Sequence, residues 1–297
     1  MAPGQQRPQE RPQERLVPLW RPAHAPALLL AVLVLAAAAC AGGGERPPPV
    51  PTAHPAPPGA ASDLIGILSV GTAAGPRACT ASVVRSPHRN LLVTAAHCVA
   101  EEGADPPDDL VFSPGYRDGS APYGSWPVDA VTVDPHWTLD ADPDYDVAFV
   151  SVRAVEDRLI EDVVGGNTLG DAGGFGRAVT VTGYPYGAEQ PITCSARTTS
   201  RSPTQQRFDC DGYTNGTSGS PWVTGDGTVV GAIGGYQEGG DTSRTSYSVT
   251  FDDRVAELYR AAVARPQAYR PEARAARAAQ GVGPNTKAPR QTGEPSL

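Results

Sequence analysis

Several functions are disfavoured by what this chain of 297 residues lacks. It has no run of Lys and Arg interleaved with aromatic residues and its formal net charge is −8. A nucleic-acid partner is therefore not expected, because contact with a phosphate backbone needs a basic face. C-x-x-C and H-x-x-x-H spacings are missing, so no metal site of the usual zinc type is expected, and no cofactor either. No helical pattern alternates with the strand-like segments, which argues against βαβ units. No internal repeat gives a clear signal, and the longest apolar run, APALLLAVLVLAAAAC at 25–40, is short for a membrane-spanning helix.

That run follows a leader carrying Arg7, Arg11, Arg15 and Arg21, the arrangement of a secretory signal. Its end, LAAAAC, resembles the lipobox of bacterial lipoproteins, which would make Cys40 the lipidated first residue of the mature protein. An A-x-A cleavage site beside an incidental cysteine is the alternative. Residues 1–40 are thus read as a signal peptide with a lipobox. Residues 41–62 are read as a Pro/Gly/Ala linker with few large apolar groups to offset ordering entropy. Residues 266–297 are read as a disordered tail. The remaining 63–265, about 200 residues, suits one all-β domain. The protein is expected to be secreted, or anchored to the outer face of a bacterial cell membrane through Cys40 alone, and to be a monomer.

Of five cysteines, Cys40 is the odd one, and Cys79, Cys98, Cys194 and Cys210 can pair in an oxidising compartment. Three connectivities are open. Proximity in the chain favours Cys79–Cys98 and Cys194–Cys210, each closing a short loop worth about 3 kcal/mol. Segments such as DLIGILSV, CTASVV, NLLVTAAHCV, DVAFVSV, RAVTVTGY, PITCSART, QRFDCDG and TVVGAIGGY are short, rich in Val, Ile and Thr, and bounded by Gly, Pro, Asp and Ser. They argue for a barrel or sandwich. Only 252–264 has helical spacing, with Val255, Leu258, Tyr259 and Val263 on one face.

The stretch NGTSGSPW at 215–222 crowds three hydroxyls between glycines and a proline. A serine hydroxyl becomes a useful nucleophile only beside a base, itself oriented by a third group. Histidine is the usual base near neutral pH. His88 in SPHRN and His136 in DPHW lie in polar turns and read as surface residues. His97 ends the apolar run LLVTAA and precedes Cys98. In LDADPDYDVAFV, Asp140, Asp142 and Asp144 are expected to be solvated, whereas Asp146 enters an apolar strand where a carboxylate can accept an imidazole N–H.

The motifs TAAHC, DYDVAFV and GTSGSP, in that order, resemble those of the chymotrypsin-like (trypsin-like) serine peptidases, and the variant GTSGSP is closer to bacterial members such as glutamyl endopeptidases. The resemblance implies two six-stranded antiparallel β-barrels with a C-terminal helix, and a serine endopeptidase acting on proteins or peptides through an acyl-enzyme. It makes Ser218 the nucleophile, His97 the base and acid, and Asp146 the orienter, with the N–H groups of Gly216 and Ser218 as the oxyanion hole. The lipase-type G-x-S-x-G is excluded because Ser220 stands where its second glycine would be. The residue before Ser218 is Thr217, not the aspartate that pairs with a new N-terminus in animal trypsins, and no Ile-Val-Gly-Gly terminus is present. The family's basic-specificity position falls on Gly212, beside Asp211, and the carboxylate-binding histidine of glutamyl endopeptidases falls on Ile233. With Tyr213, Ile233, Gly234, Gly235 and Tyr236 as the remaining pocket residues, an apolar or small preference is expected. A catalytically silent, surface-tethered binding protein on the same fold is the alternative function.

Overall fold

The computed structural model describes residues 49–100, 109–170 and 174–265. Its short Val/Ile/Thr runs form strands, because β-branched side chains suit the pleated backbone, and the Gly, Pro and Asp clusters between them form turns. A two-residue strand β1 (His54–Pro55) and a helical turn α1 (Ala60–Asp63) come first. Then β2 (Ile65–Val70), β3 (Arg77–Val84), β4 (Leu91–Thr94), β5 (Leu110–Pro114), β6 (Trp126–Val133) and β7 (Ala148–Val152) close a barrel in the order β2-β3-β4-β7-β6-β5. Ile67, Leu68, Leu92, Phe112, Trp126 and Val150 fill it. Strand β5 is absent from the segments read in the sequence, since its five residues follow an acidic, proline-containing stretch. Its ladders to β2 and β6 close the ring.

The second half departs from the expected closed barrel. Strands β8 (Thr168–Leu169), β9 (Ala178–Gly183), β10 (Ile192–Arg197), β13 (Pro221–Val223) and β14 (Thr228–Ala232) join β1 in a six-stranded sheet ordered β1-β10-β9-β13-β14-β8. Strands β11 (Thr199–Ser200), β12 (Gln205–Asp209) and β15 (Thr245–Val249) form a separate three-stranded sheet. The pair β14–β8 is parallel. Among the described residues the two sheets share no strand-to-strand ladder, so this half does not close as the first half does. Phe208 of one sheet packs with Val181, Trp222 and Val230 of the other. The all-β class with a C-terminal helix stands, and the closed six-stranded barrel belongs to the first half.

Helix α4, numbered after the short α2 (Pro135–Asp140) and α3 (Ile160–Val164), spans Asp253–Ala264. The Asp252 side chain caps it by accepting from the Arg254 N–H at 3.0 Å. Its buried residues Val255, Leu258 and Ala262 pack with Val84, Leu91 and Phe149 of the barrel and with Val229 and Val249 of the second half. The helix therefore covers the seam between the two halves. The shorter helices escape sequence reading because a single turn carries no period.

The proline-rich stretch expected as a linker over 41–62 is packed from Pro49 onward. The Ala53 N–H donates to Asp211 O and the Asp211 N–H to Pro51 O, both at 2.8 Å. Strand β1 pairs with β10, and Ala56 is buried with its N–H on Pro191 O. Proline fixes φ in advance, so this chain loses little freedom on docking, and an open sheet edge satisfies the few N–H groups it has. The expected signal segment with Cys40 and the tail at 266–297 lie outside the described residues.

Candidate active site

Strand β4 ends in Thr94, and the fully buried Ala95 and Ala96 carry the chain into a 3-10 turn, Ala96–Cys98, that presents His97. The disulfide Cys79–Cys98 ties this turn to β3. Across from it, Asp142 caps a second 3-10 turn, Pro143–Tyr145, accepting from the Asp144 N–H at 2.9 Å, and Asp146 follows just before β7. Asp146 is 1% exposed, yet its charge is well supplied with donors. Oδ1 accepts the His97 backbone N–H at 3.0 Å, and Oδ2 accepts His97 Nδ1–H at 2.8 Å and the Gly235 N–H at 2.7 Å. A carboxylate only accepts, so Nδ1 carries the proton and Nε2 of neutral His97 keeps its lone pair. Burial pushes the His97 pKa down, but the Asp146 charge and hydrogen bond, with the Glu238 carboxylate, outweigh it and hold the group above its ordinary 6.5.

The serine comes from the second half. Thr80 of β3 stitches it to the barrel: its N–H donates to Ser218 O at 2.8 Å and its hydroxyl to Gly216 O at 2.9 Å. The same hydroxyl accepts the Tyr184 N–H at 3.0 Å, while Thr94 Oγ1 donates to Thr80 O at 2.8 Å. Thr80 neighbours Cys79, whose disulfide partner adjoins His97, so His97 and Ser218 are anchored on the same strand end. Gly216 has φ 92°, and a Cβ there would stand 2.7 Å from Tyr186 N, which only glycine avoids. Gly219, at φ 80°, passes so close to Thr80 O and Thr94 Oγ1 that a side chain would collide with both. Among the described residues, no carbonyl or side chain takes the N–H of Gly216 or of Ser218. Both are free for a ligand oxygen. Thr217 Oγ1 donates to Thr214 O and Ser220 Oγ to Thr217 O, so the two other hydroxyls of the loop are spent on holding the turn.

Beside Ser218 opens a cavity of about 230 Å³ whose walls include Tyr213, Ile233, Glu238, Asp241, Ser243 and Ser246. Tyr213 stays neutral, since burial pushes its phenol up and its hydroxyl donates to Val181 O at 2.6 Å. Of the expected pocket residues, Tyr213 and Ile233 line the cavity, whereas Gly212, Gly234, Gly235 and Tyr236 do not. Gly212 packs against Ala53 of the N-terminal arm. Gly234 and Gly235 lie over the Asp146 carboxylate instead, and Tyr236 stacks edge-on against Tyr247 under the Arg201 guanidinium.

Sequence reading also missed Gln205. This buried side chain donates to Pro143 O at 2.8 Å and Asp144 Oδ1 at 2.9 Å, and accepts the Tyr236 N–H at 3.2 Å. It joins the turn before Asp146 to the turn whose N–H meets Asp146. Asp144, expected to be solvated, also accepts from Thr204 Oγ1 at 2.9 Å and so belongs to this bridge. Nothing in the polar run QQRFD at 205–209 set Gln205 apart, because its partners Pro143, Asp144 and Tyr236 are distant in the chain. His88 and His136 stand apart: His88 Nε2–H donates to Val263 O at 3.1 Å, and the exposed His136 bonds Asp134 and stacks on Tyr145. Cys194–Cys210 is formed as well, beneath the segment that carries Tyr213.

A barrel and a facing pair of sheets that place a histidine, a buried aspartate and a glycine-flanked serine on one seam are the features of a chymotrypsin-like serine peptidase. The family model described as trypsin-like peptidase domain matches residues 79–231, and the chain belongs to that family. No curated protein matches the chain. Among solved structures, the protease Anisep from Arthrobacter nicotinovorans is similar at 26% identity and TM-score 0.61, over 68% of this chain and 96% of that one. The thermostable serine protease AL20 from an extremophilic microorganism is similar at 23% identity and TM-score 0.62, over 70% and 100%. A Glu endopeptidase shares the fold at 19% identity and TM-score 0.60, over 72% and 98%. The chain is thus a trypsin-like serine peptidase, with protein or peptide substrates.

Proposed function

We propose that the protein is an exported serine endopeptidase working through Ser218, His97 and Asp146. The observation that carries this reading is the Asp146 carboxylate, buried, charged and holding Nδ1–H of His97, which leaves Nε2 as the base. In the reaction, Ser218 Oγ attacks the scissile carbonyl as its proton passes to His97 Nε2. The oxygen of the tetrahedral intermediate takes hydrogen bonds from Gly216 and Ser218 N–H, donors of a kind worth about 3 kcal/mol or more each in barrier height. The imidazolium, stabilised by Asp146, then protonates the leaving amine, and water hydrolyses the acyl-enzyme by the same route in reverse.

Export agrees with the two disulfides, which persist in oxidising compartments. In this reading the chain is a monomer, secreted or held at the outer face of the bacterial cell membrane through a lipid at Cys40. A phosphonate probe that phosphonylates activated serines tests the reaction class. The expected result is labelling of the wild type and none of Ser218→Ala; a folded wild type that takes no label overturns the proposal.

A further inference from the structure

The cavity beside Ser218 is lined mostly by polar residues and carries negative charge. Glu238 and Asp241 stand exposed at its rim, and no Lys, Arg or His is among the described residues that line it. Glu238 is held there by a 3-10 turn in which it and Gln237 adopt left-handed backbone angles, φ 51° and 53°. Asp241 accepts from Gln237 Nε2 at 2.9 Å across the same turn. Deeper in, Ser243 Oγ donates to Asp211 Oδ1 at 2.7 Å, so the lone pairs of its oxygen, made richer by the carboxylate behind it, are left for a donor. Ser246 lies deeper still. It is 2% exposed, lines the cavity, and no group among the described residues hydrogen-bonds its hydroxyl. The hydroxyl opens into the cavity, where a donor on a bound side chain can reach its oxygen.

We propose that this pocket receives a lysine or arginine side chain from the residue just before the scissile bond (P1), so that the peptidase cuts after basic residues. The proposal rests on the peptidase reading above and names its substrate class. The aliphatic stem lies against Tyr213 and Ile233 while the cationic end offers its N–H groups to Ser246 and Ser243 and its charge to Glu238, Asp241 and, through Ser243, Asp211. A glutamate at P1 would meet like charge at the rim. An apolar side chain would leave the Ser246 hydroxyl unpaired. This replaces the apolar or small preference expected from the sequence, which considered the walls but not the loop at 237–241 or the residues 243 and 246. The family's own basic-specificity position is here a glycine, Gly212, so the charge reaches the pocket from other residues.

The test is a set of peptide substrates identical except at P1, carrying Arg, Lys, Leu, Ala or Glu, given to the full-length protein. Expected kcat/KM for Arg and Lys exceeds that for Leu and Ala by about tenfold or more, with Glu lowest, as field focusing in a cleft of one sign allows. In the double variant E238Q/D241N, with its fold checked by circular dichroism, the Arg-to-Leu ratio falls by about threefold to tenfold, the sum of two exposed charge contacts. In E238K/D241K the Glu-to-Arg ratio rises. Faster turnover of Leu, Ala or Glu substrates, or an Arg-to-Leu ratio indifferent to both variants, overturns the specificity assignment while phosphonate labelling of Ser218 leaves the peptidase reading standing. Labelled protein that cleaves none of the five also overturns the assignment; no labelling and no cleavage overturns both.

Discussion

At Asp146 three donors converge on one buried carboxylate, and this bears on how His97 titrates. Asp146 and Glu238 both favour the imidazolium, and together they outweigh burial, which opposes it. The base form is required for attack, so activity is lost as pH falls through a pKa above 6.5 and is full on the alkaline side. A pH profile of kcat/KM checks this, and E238Q adds a directional arm: removing one of the charges that raise the His97 pKa moves the acid limb to lower pH. A limb lying below 6.5 in the wild type, or unmoved in the variant, contradicts the assignment. At the same scale, Thr80 and Gln205 show how polar side chains can act as joints. Each is buried and fully engaged, and each fixes the distance between two loops that carry functional residues.

The element that most changes the picture is the N-terminal arm. Pro51 and Ala53 clamp Asp211 from both sides of its peptide unit, and Asp211 lies two residues before Tyr213 of the pocket wall. Ala53 packs near the Cys194–Cys210 disulfide and Tyr213. Ala53→Asp would set a charge against this apolar cluster without removing any backbone group. The expected cost is about 1–3 kcal/mol in stability, the usual range for a polar group buried in poor company. Thermal unfolding reads the stability, and a rise in KM reports the loosened wall. Wild-type values for both would show that the arm lies on the domain without supporting it. The seam helix α4 has the complementary role, since its apolar face contacts both halves at once.

For the whole molecule, the two halves supply different parts of the proposed site, His97 and Asp146 from the barrel and Ser218 from the facing sheets, so that site requires both halves. Whether the molecule is also tethered is decided at residues 1–48, and mass spectrometry of the mature N-terminus checks it: a diacylglyceryl cysteine at Cys40 is expected, and an unmodified cysteine or a start elsewhere contradicts the anchor. Much of this was legible beforehand. The motifs around His97, Asp146 and Ser218, the short β-branched runs, the disulfide partners and the amphipathic 252–264 are local patterns, readable because hydrogen-bond chemistry and side-chain periodicity act over a few residues. Other features depend on residues far apart in the chain. Strand β5 is recognised by its two partners, the Pro/Ala arm by the sheet edge that receives it, and the two-sheet second half by pairings between segments distant in the chain. The pocket is the clearest case: Glu238, Asp241, Ser243 and Ser246, with Asp211 behind Ser243, look like ordinary loop and strand residues until the fold brings them to one cavity. Sequence by itself determined the serine-peptidase family and the all-β class, because both are written in short motifs; tertiary structure alone decided what surrounds Ser218, because field and shape in a cleft come from groups that only folding makes neighbours.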